Sequence, residues 1–141
     1  MIEAKKATPL IINATQHQPT ADQVDAGVYA SVDVEHFLTF KEIPTQEQMN
    51  FAAEGIAQAI WDMHIYQCMD SCINPLDALQ AECIAMIGGA PWFMSTLEVF
   101  LGIYNIKPVY AFSERCSVEE HQPDGTVVKR VVFQHVGFVG L

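Results

Sequence analysis

Basic residues are scarce in this chain: seven Lys and Arg stand against seventeen Asp and Glu, a formal net charge of −10. A surface that grips a phosphate backbone needs the opposite balance, so duplex nucleic acid is not an expected partner. Charged residues are also few overall, at 17% against 50% apolar, the reverse of a disordered composition. No apolar run approaches the roughly 18 residues of a membrane span, so no membrane partner is expected. Lys5 and Lys6 are followed by no apolar stretch of secretory length before Asn13. No signal peptide is therefore expected, and the expected location is the cytoplasm.

Several motifs are missing as well. There is no G-x-G-x-x-G, no phosphate-binding P-loop, no H-E-x-x-H and no Ser-His-Asp arrangement, so dinucleotide, nucleoside triphosphate and zinc-protease chemistry have no support. The four cysteines, Cys68, Cys72, Cys83 and Cys116, form no C-x-x-C pair. His64, Cys68 and Cys72 recur at intervals of four, which resembles metal spacing only loosely and lacks a fourth ligand. No metal and no cofactor is expected, and the thiols read as small buried or half-buried side chains in a reducing compartment.

What is present is a chain of 141 residues, the size of one domain with a full core. Residues 9–13 form a short apolar, β-branched run that predicts a first strand. Thr20-Ala-Asp-Gln23 is a capping box, Thr-x-x-Gln, that opens a short helix ending near Gly27. Residues 37–43 predict a second strand broken by Pro44, and Thr45-Gln-Glu-Gln48 is a second capping box. Beyond it Met49, Ala52, Ala53, Ile56, Ile60 and Met63 fall on one helical stripe that runs to about His64. Asn74-Pro75 marks a turn in the stretch 65–80. Residues 82–87 predict a third strand closed by Gly88-Gly89.

Pro91, at a first helical position, opens a helix through Asn105. Its apolar arc takes in Phe93, Leu97, Phe100, Leu101 and Tyr104 but also Trp92, Val99 and Ile103. One side should meet the sheet and the other a second layer or another subunit. Residues 107–112 predict a fourth strand. From Cys116 to Val139 extended segments flank Pro123-Asp-Gly-Thr126, a strong hairpin signal. This order predicts one α/β domain over residues 1–141: a Rossmann-like, three-layer fold with a mainly parallel sheet and a C-terminal β-hairpin extension.

In such sheets ligands collect beyond the carboxyl ends of the strands, near the switch in strand order. Three segments are therefore candidates. After strand one, Asn13-Ala-Thr-Gln-His17 offers the Thr15 hydroxyl and the His17 imidazole, which can move a proton near neutral pH. After strand three, Gly88 and Gly89 let a ligand approach the backbone ahead of a helix N-terminus that favours anions, with Trp92 nearby. After strand four, Ser113, Glu114 and Arg115 read as a loop in which Arg115 can fork onto a phosphate. His135, inside the last strand, is a sheet residue or a site residue, and His36 and His64 read as structural. Charge favours the C-terminal part for an anion: residues 1–82 hold three basic and twelve acidic residues, and residues 83–141 hold four and five.

Residues 13–23 resemble the strand-one signature of Asn, His, Thr and Gln in small CRISPR-associated ring nucleases. Pro108-Val-Tyr-Ala-Phe-Ser-Glu-Arg115 resembles their fourth strand and its loop. Residues 124–136, with Lys129, Phe133 and His135-Val136, resemble their terminal hairpin. The resemblance covers about half of the chain and omits residues 26–82. It implies a Rossmann-like homodimer that binds cyclic oligoadenylate, usually cyclic tetra-adenylate, across its twofold axis and degrades it to switch off type III CRISPR signalling. In that reading the ligand's own 2′-hydroxyl attacks the neighbouring phosphate without a metal. The residues carried over as catalytic are Thr15, His17, Ser113 and Arg115; Asn13, Gly88, Gly89, Trp92 and Glu114 would contact the ligand. Two other classes stay open: a module that binds or sequesters a nucleotide without turnover, and a homo-oligomeric interaction protein with no ligand.

Overall fold

The first strand, β1 (Ile11–Asn13), sends alternate side chains to opposite sides of a sheet. Ile11 joins Val28, Ile84, Met86 and Val109 on one side, and Ile12 joins Ala85, Ile87 and Ile106 on the other. The computed structural model describes residues 10–70 and 81–141. Within them lie the helix α1 (Ala21–Asp25), the strand β2 (Val28–Ser31), the short helix α2 (Glu35–Leu38) and the long helix α3 (Gln46–Asp70). The strand β3 (Cys83–Met86), the helix α4 (Pro91–Ile103) and two long strands, β4 (Ile106–His121) and β5 (Val127–Val139), complete the described elements.

The five strands form one sheet in the order β2-β1-β3-β4-β5. β2, β1, β3 and the start of β4 run parallel, and β5 returns antiparallel along β4. The architecture is thus α/β, mostly parallel, with a C-terminal antiparallel hairpin. β3 covers only Ile106 to Val109 of β4, so the rest of β4 and β5 leave the sheet as a two-stranded ribbon. No described helix is long and apolar enough to cross a membrane.

The main core lies on one side, where α2, α3 and α4 pack over Ile12, Ala85, Ile87 and Ile106. α3 supplies Ala53, Ile56, Ala57 and Ile60, then His64 and Cys68, an i, i+3, i+4 stripe. α3 therefore runs past His64, because His64 and Cys68 continue the stripe: both are buried, with Nε2 of His64 3.8 Å from Cys68 Sγ. His36, by contrast, is exposed and stacks on Phe37. Cys68 and Cys83 are buried free thiols and Cys116 is a half-buried one; Cys72 and the turn at Asn74-Pro75 lie outside the described residues.

Both capping boxes form. Gln23 N–H donates to Thr20 Oγ1 and Thr20 N–H to Gln23 Oε1; Thr45 and Gln48 exchange the same pair of bonds. Pro91 sits in the first turn of α4. That helix stops at Ile103, two residues short of the expected end, because Asn105 turns into the left-handed region at φ 57°, which Asn tolerates as a helix stop.

Two expected elements are different. The run 37–43 is not a strand: Phe37 and Leu38 belong to α2, and residues 39–45 connect it to α3. Leu38 is buried in the helical layer and the Phe37 ring lies against Gly55 of α3. These apolar residues face a helix, so no strand pairing is available to them. The second strand is instead β2, an edge strand on β1 that buries Val28. Ser113, Glu114 and Arg115 are not a loop either. They sit inside β4, opposite His135, Gln134 and Phe133, polar because the ribbon is exposed on both faces.

Candidate functional site

β1 leads outward to β2, whereas β3 leads the other way to β4, so the strand order switches between β1 and β3. The loops that leave these two strands diverge there and open a crevice at their carboxyl ends. A cleft of about 420 Å³ occupies this place, lined by Thr15 to Gln18, Thr20 and Gln23, by Met86 to Gly89, and by Tyr110 and Ala111.

The loop after β1 is built around Asn13. Its side chain is buried, at 2% exposure, and every polar position on it is used. Oδ1 accepts from Thr15 N–H at 3.0 Å and from Thr15 Oγ1 at 2.7 Å. Nδ2 donates to the His17 carbonyl at 2.9 Å and to Ser31 Oγ at 3.1 Å. This is an Asx turn tied to the neighbouring strand. Asn13 therefore shapes the loop and does not itself line this cleft. Thr15 lines the cleft with its hydroxyl proton given to Asn13. His17 lines it too; it is exposed, and its ring makes no hydrogen bond among the described residues.

Across from this loop stand Gly88 and Gly89. A Cβ on Gly88 would lie 3.6 Å from the Thr15 methyl, so a side chain here would fill the space between the two loops that glycine leaves open. The backbone amides of Gly88 and Gly89 donate to no backbone carbonyl among the described residues. With the N-terminus of α4 just behind them, they leave donors for an acceptor-rich ligand. No charged side chain lines the cleft. Its polarity comes from amides, hydroxyls and one imidazole.

Sequence reasoning missed Tyr110. It lines the cleft from β4 and donates its phenol to Glu98 Oε1 at 2.9 Å. Burial, with the Glu98 carboxylate beside it, pushes this phenol up to about 12, so it is a neutral donor and not a base. Only its place as the last residue of the Lys-Pro-Val-Tyr run at the end of the parallel segment marked it. Gln23 was legible as a cap, and the cap brings it to the rim.

The structure brings Thr15, His17, Gly88 and Gly89 together and leaves the other candidates elsewhere. Trp92 points away, 52% exposed, and stacks on Phe40 with ring centroids 5.3 Å apart. It lines a separate apolar groove with Phe40, Ile43, Pro44 and Met49. Ser113, Glu114 and Arg115 are exposed on the ribbon. Arg115 is four residues beyond Ala111, roughly 14 Å at the strand rise of about 3.4 Å per residue. His135 stacks on Phe138 at 4.8 Å, and both of its ring nitrogens are enclosed without a hydrogen-bond partner among the described residues. Among those residues no group of three or more His, Cys, Asp or Glu is placed to hold a metal ion.

Neither a curated protein nor a solved structure matches this chain. Residues 9–139, which span β1 to the end of β5, match the family described as "Uncharacterized protein MJ1673 family". The chain belongs to the MJ1673 family.

Proposed function

We propose that the cleft at the β1–β3 switch point binds a nucleotide and that the protein is a cytoplasmic ring nuclease acting on cyclic oligoadenylate in type III CRISPR defence. The observation that carries the reading is the convergence of Thr15, His17, Gly88 and Gly89, far apart in the chain, on one cleft of a mostly parallel sheet. The strand order 2-1-3-4 with the crevice at its switch point supports a Rossmann-like fold. A volume of about 420 Å³ is at the small end for ligand sites, so a ring of four nucleotides would span the clefts of two copies in a homodimer.

In the proposed reaction a 2′-oxygen of the ligand attacks the adjacent phosphorus and the P–O5′ bond breaks. His17 takes the 2′-proton, and a proton is returned to the departing 5′-oxygen. The product is a linear adenylate ending in a 2′,3′-cyclic phosphate. Gly88 and Gly89 N–H groups stabilise charge on the phosphoryl oxygens. Thr15, held by Asn13, positions the loop. Ser113, Glu114, Arg115 and Trp92 take no part in this step, since none of them lines the cleft.

The test is incubation of the purified protein with cyclic tetra-adenylate in the presence of EDTA, followed by chromatography. Linear di-adenylate with a cyclic phosphate is the expected product. Intact ligand that still raises the melting temperature would replace the enzyme with a sequestering module. That second reading is favoured by one observation: the cleft holds a single imidazole, His17, and no carboxylate, lysine or arginine, so one group would have to both take and return the proton. Neither cleavage nor binding would overturn both readings.

A further inference from the structure

Beyond Phe112, β4 and β5 form a ribbon roughly 30 Å long, at about 3.4 Å per residue. The register sets Ser113 opposite His135, Arg115 opposite Phe133, Ser117 opposite Val131, Glu119 opposite Lys129 and His121 opposite Val127. Residues directly opposite share a face. On this face Phe133 is 74% exposed, and Val131 and Val127 are 50% and 49% exposed. Its three charges, Arg115, Glu119 and Lys129, form no ion pair among the described residues, whereas on the other face Arg130 holds Glu120 at 2.9 Å. A two-stranded ribbon is marginally stable by itself in water, and nothing described covers these apolar groups.

We propose that this face packs against the same face of a second copy of the chain, about a twofold axis that lies between the ribbons, at right angles to the strands, beside Ser117 and Val131. The arrangement of charge selects this occupant. Arg115 and Glu119 stand two residues to either side of Ser117 on one strand. Reversing a copy about that point sets Arg115 over Glu119 of the partner subunit, and the symmetry makes the pair twice. On the other strand Phe133 and Lys129 stand two residues to either side of Val131. The same operation sets the Phe133 ring over Lys129 of the partner subunit, a cation–π contact, and Val131 over Val131 of the partner subunit. No like charges are opposed. An isologous contact of this kind closes on itself and exposes no further copy of the patch. The inference is independent of what the cleft binds.

Sedimentation of the full chain over a range of concentrations tests it, with far-ultraviolet circular dichroism as the control for folding. A dimer that dissociates on dilution is expected, since ten residues per copy is a small interface. Phe133→Glu should be monomeric throughout. Arg115→Glu and Glu119→Arg should each weaken the dimer about tenfold, and the double variant, which restores opposite charges across the axis, should recover most of that loss. A wild-type monomer at every concentration overturns the proposal. So does a dimer indifferent to Phe133→Glu and to both reversals, or a double variant no tighter than the single ones.

Discussion

Asn13 Oδ1 accepts two hydrogen bonds from Thr15, one from its backbone N–H and one from its hydroxyl. The pair is where fold and candidate chemistry meet. A buried side chain at the end of β1, an interior strand, fixes the loop that carries His17, so the cleft is shaped before any ligand arrives.

Asn13→Ala should therefore be costly for folding, because Asn13 ties the loop after β1 to β2. It strips partners from Thr15, the His17 carbonyl and Ser31, and a buried polar group left unpaired costs about 1–3 kcal/mol. Thermal unfolding should show a melting temperature lower by several degrees. Asn13→Asp should not rescue it, because a carboxylate has no donor for the His17 carbonyl.

His17→Ala should separate activity from stability. The ring is exposed and makes no hydrogen bond among the described residues, so stability should stay within about 0.5 kcal/mol of wild type. Cleavage of cyclic tetra-adenylate should fall by about 10²–10⁴-fold if His17 moves the proton. Unchanged cleavage with an unchanged melting curve would remove His17 from the mechanism.

Gly55 and Phe37 form a second testable pair, on the helical side of the core. A Cβ on Gly55 would overlap the Phe37 ring. Gly55→Leu should destabilise by about 1–3 kcal/mol through overpacking. Combining it with Phe37→Ala should cost less than the two single changes added together, since the ring that clashes has been removed. Denaturant unfolding of the four proteins gives that coupling directly.

Tyr110 and Tyr29 are both pushed up to about 12, Tyr110 by burial and the Glu98 carboxylate, Tyr29 by burial first and then by Cys83 and Cys68. The fold favours the neutral phenols, whose ordinary value is near 10. Their contribution is whole below pH 10 and is lost as the pH climbs from 10 to about 12. Near-ultraviolet phenolate absorbance should show two tyrosines ionising with alkaline unfolding, and Tyr110→Phe should make the loss of stability above pH 10 less steep.

The readings that succeeded rest on interactions within a few residues. Thr20 with Gln23, Thr45 with Gln48, Pro91 in the first turn of its helix, and Asp124-Gly125 at the hairpin all act over one turn of chain. Their side-chain chemistry is complete in the sequence. The α3 stripe was equally visible, because its period does not depend on what it packs against. Phe37 to Ile43 misled because apolarity alone does not say whether a segment faces a helix or a sheet. Ser113 to Arg115 misled because a strand exposed on both faces carries the polar residues of a loop.

By itself, then, the sequence determined the α/β class, the starts of α1, α3 and α4, the hairpin and the segments worth inspecting, since each is set by local periodicity and backbone preference. The tertiary structure decided which of those segments meet. Only strand order puts β1 beside β3 and so draws Thr15 and His17 toward Gly88 and Gly89. Only strand pairing carries Arg115 out along the ribbon, away from the cleft. Contacts between residues about 70 positions apart follow from pairing and packing across the whole core, and no local pattern of residues encodes them.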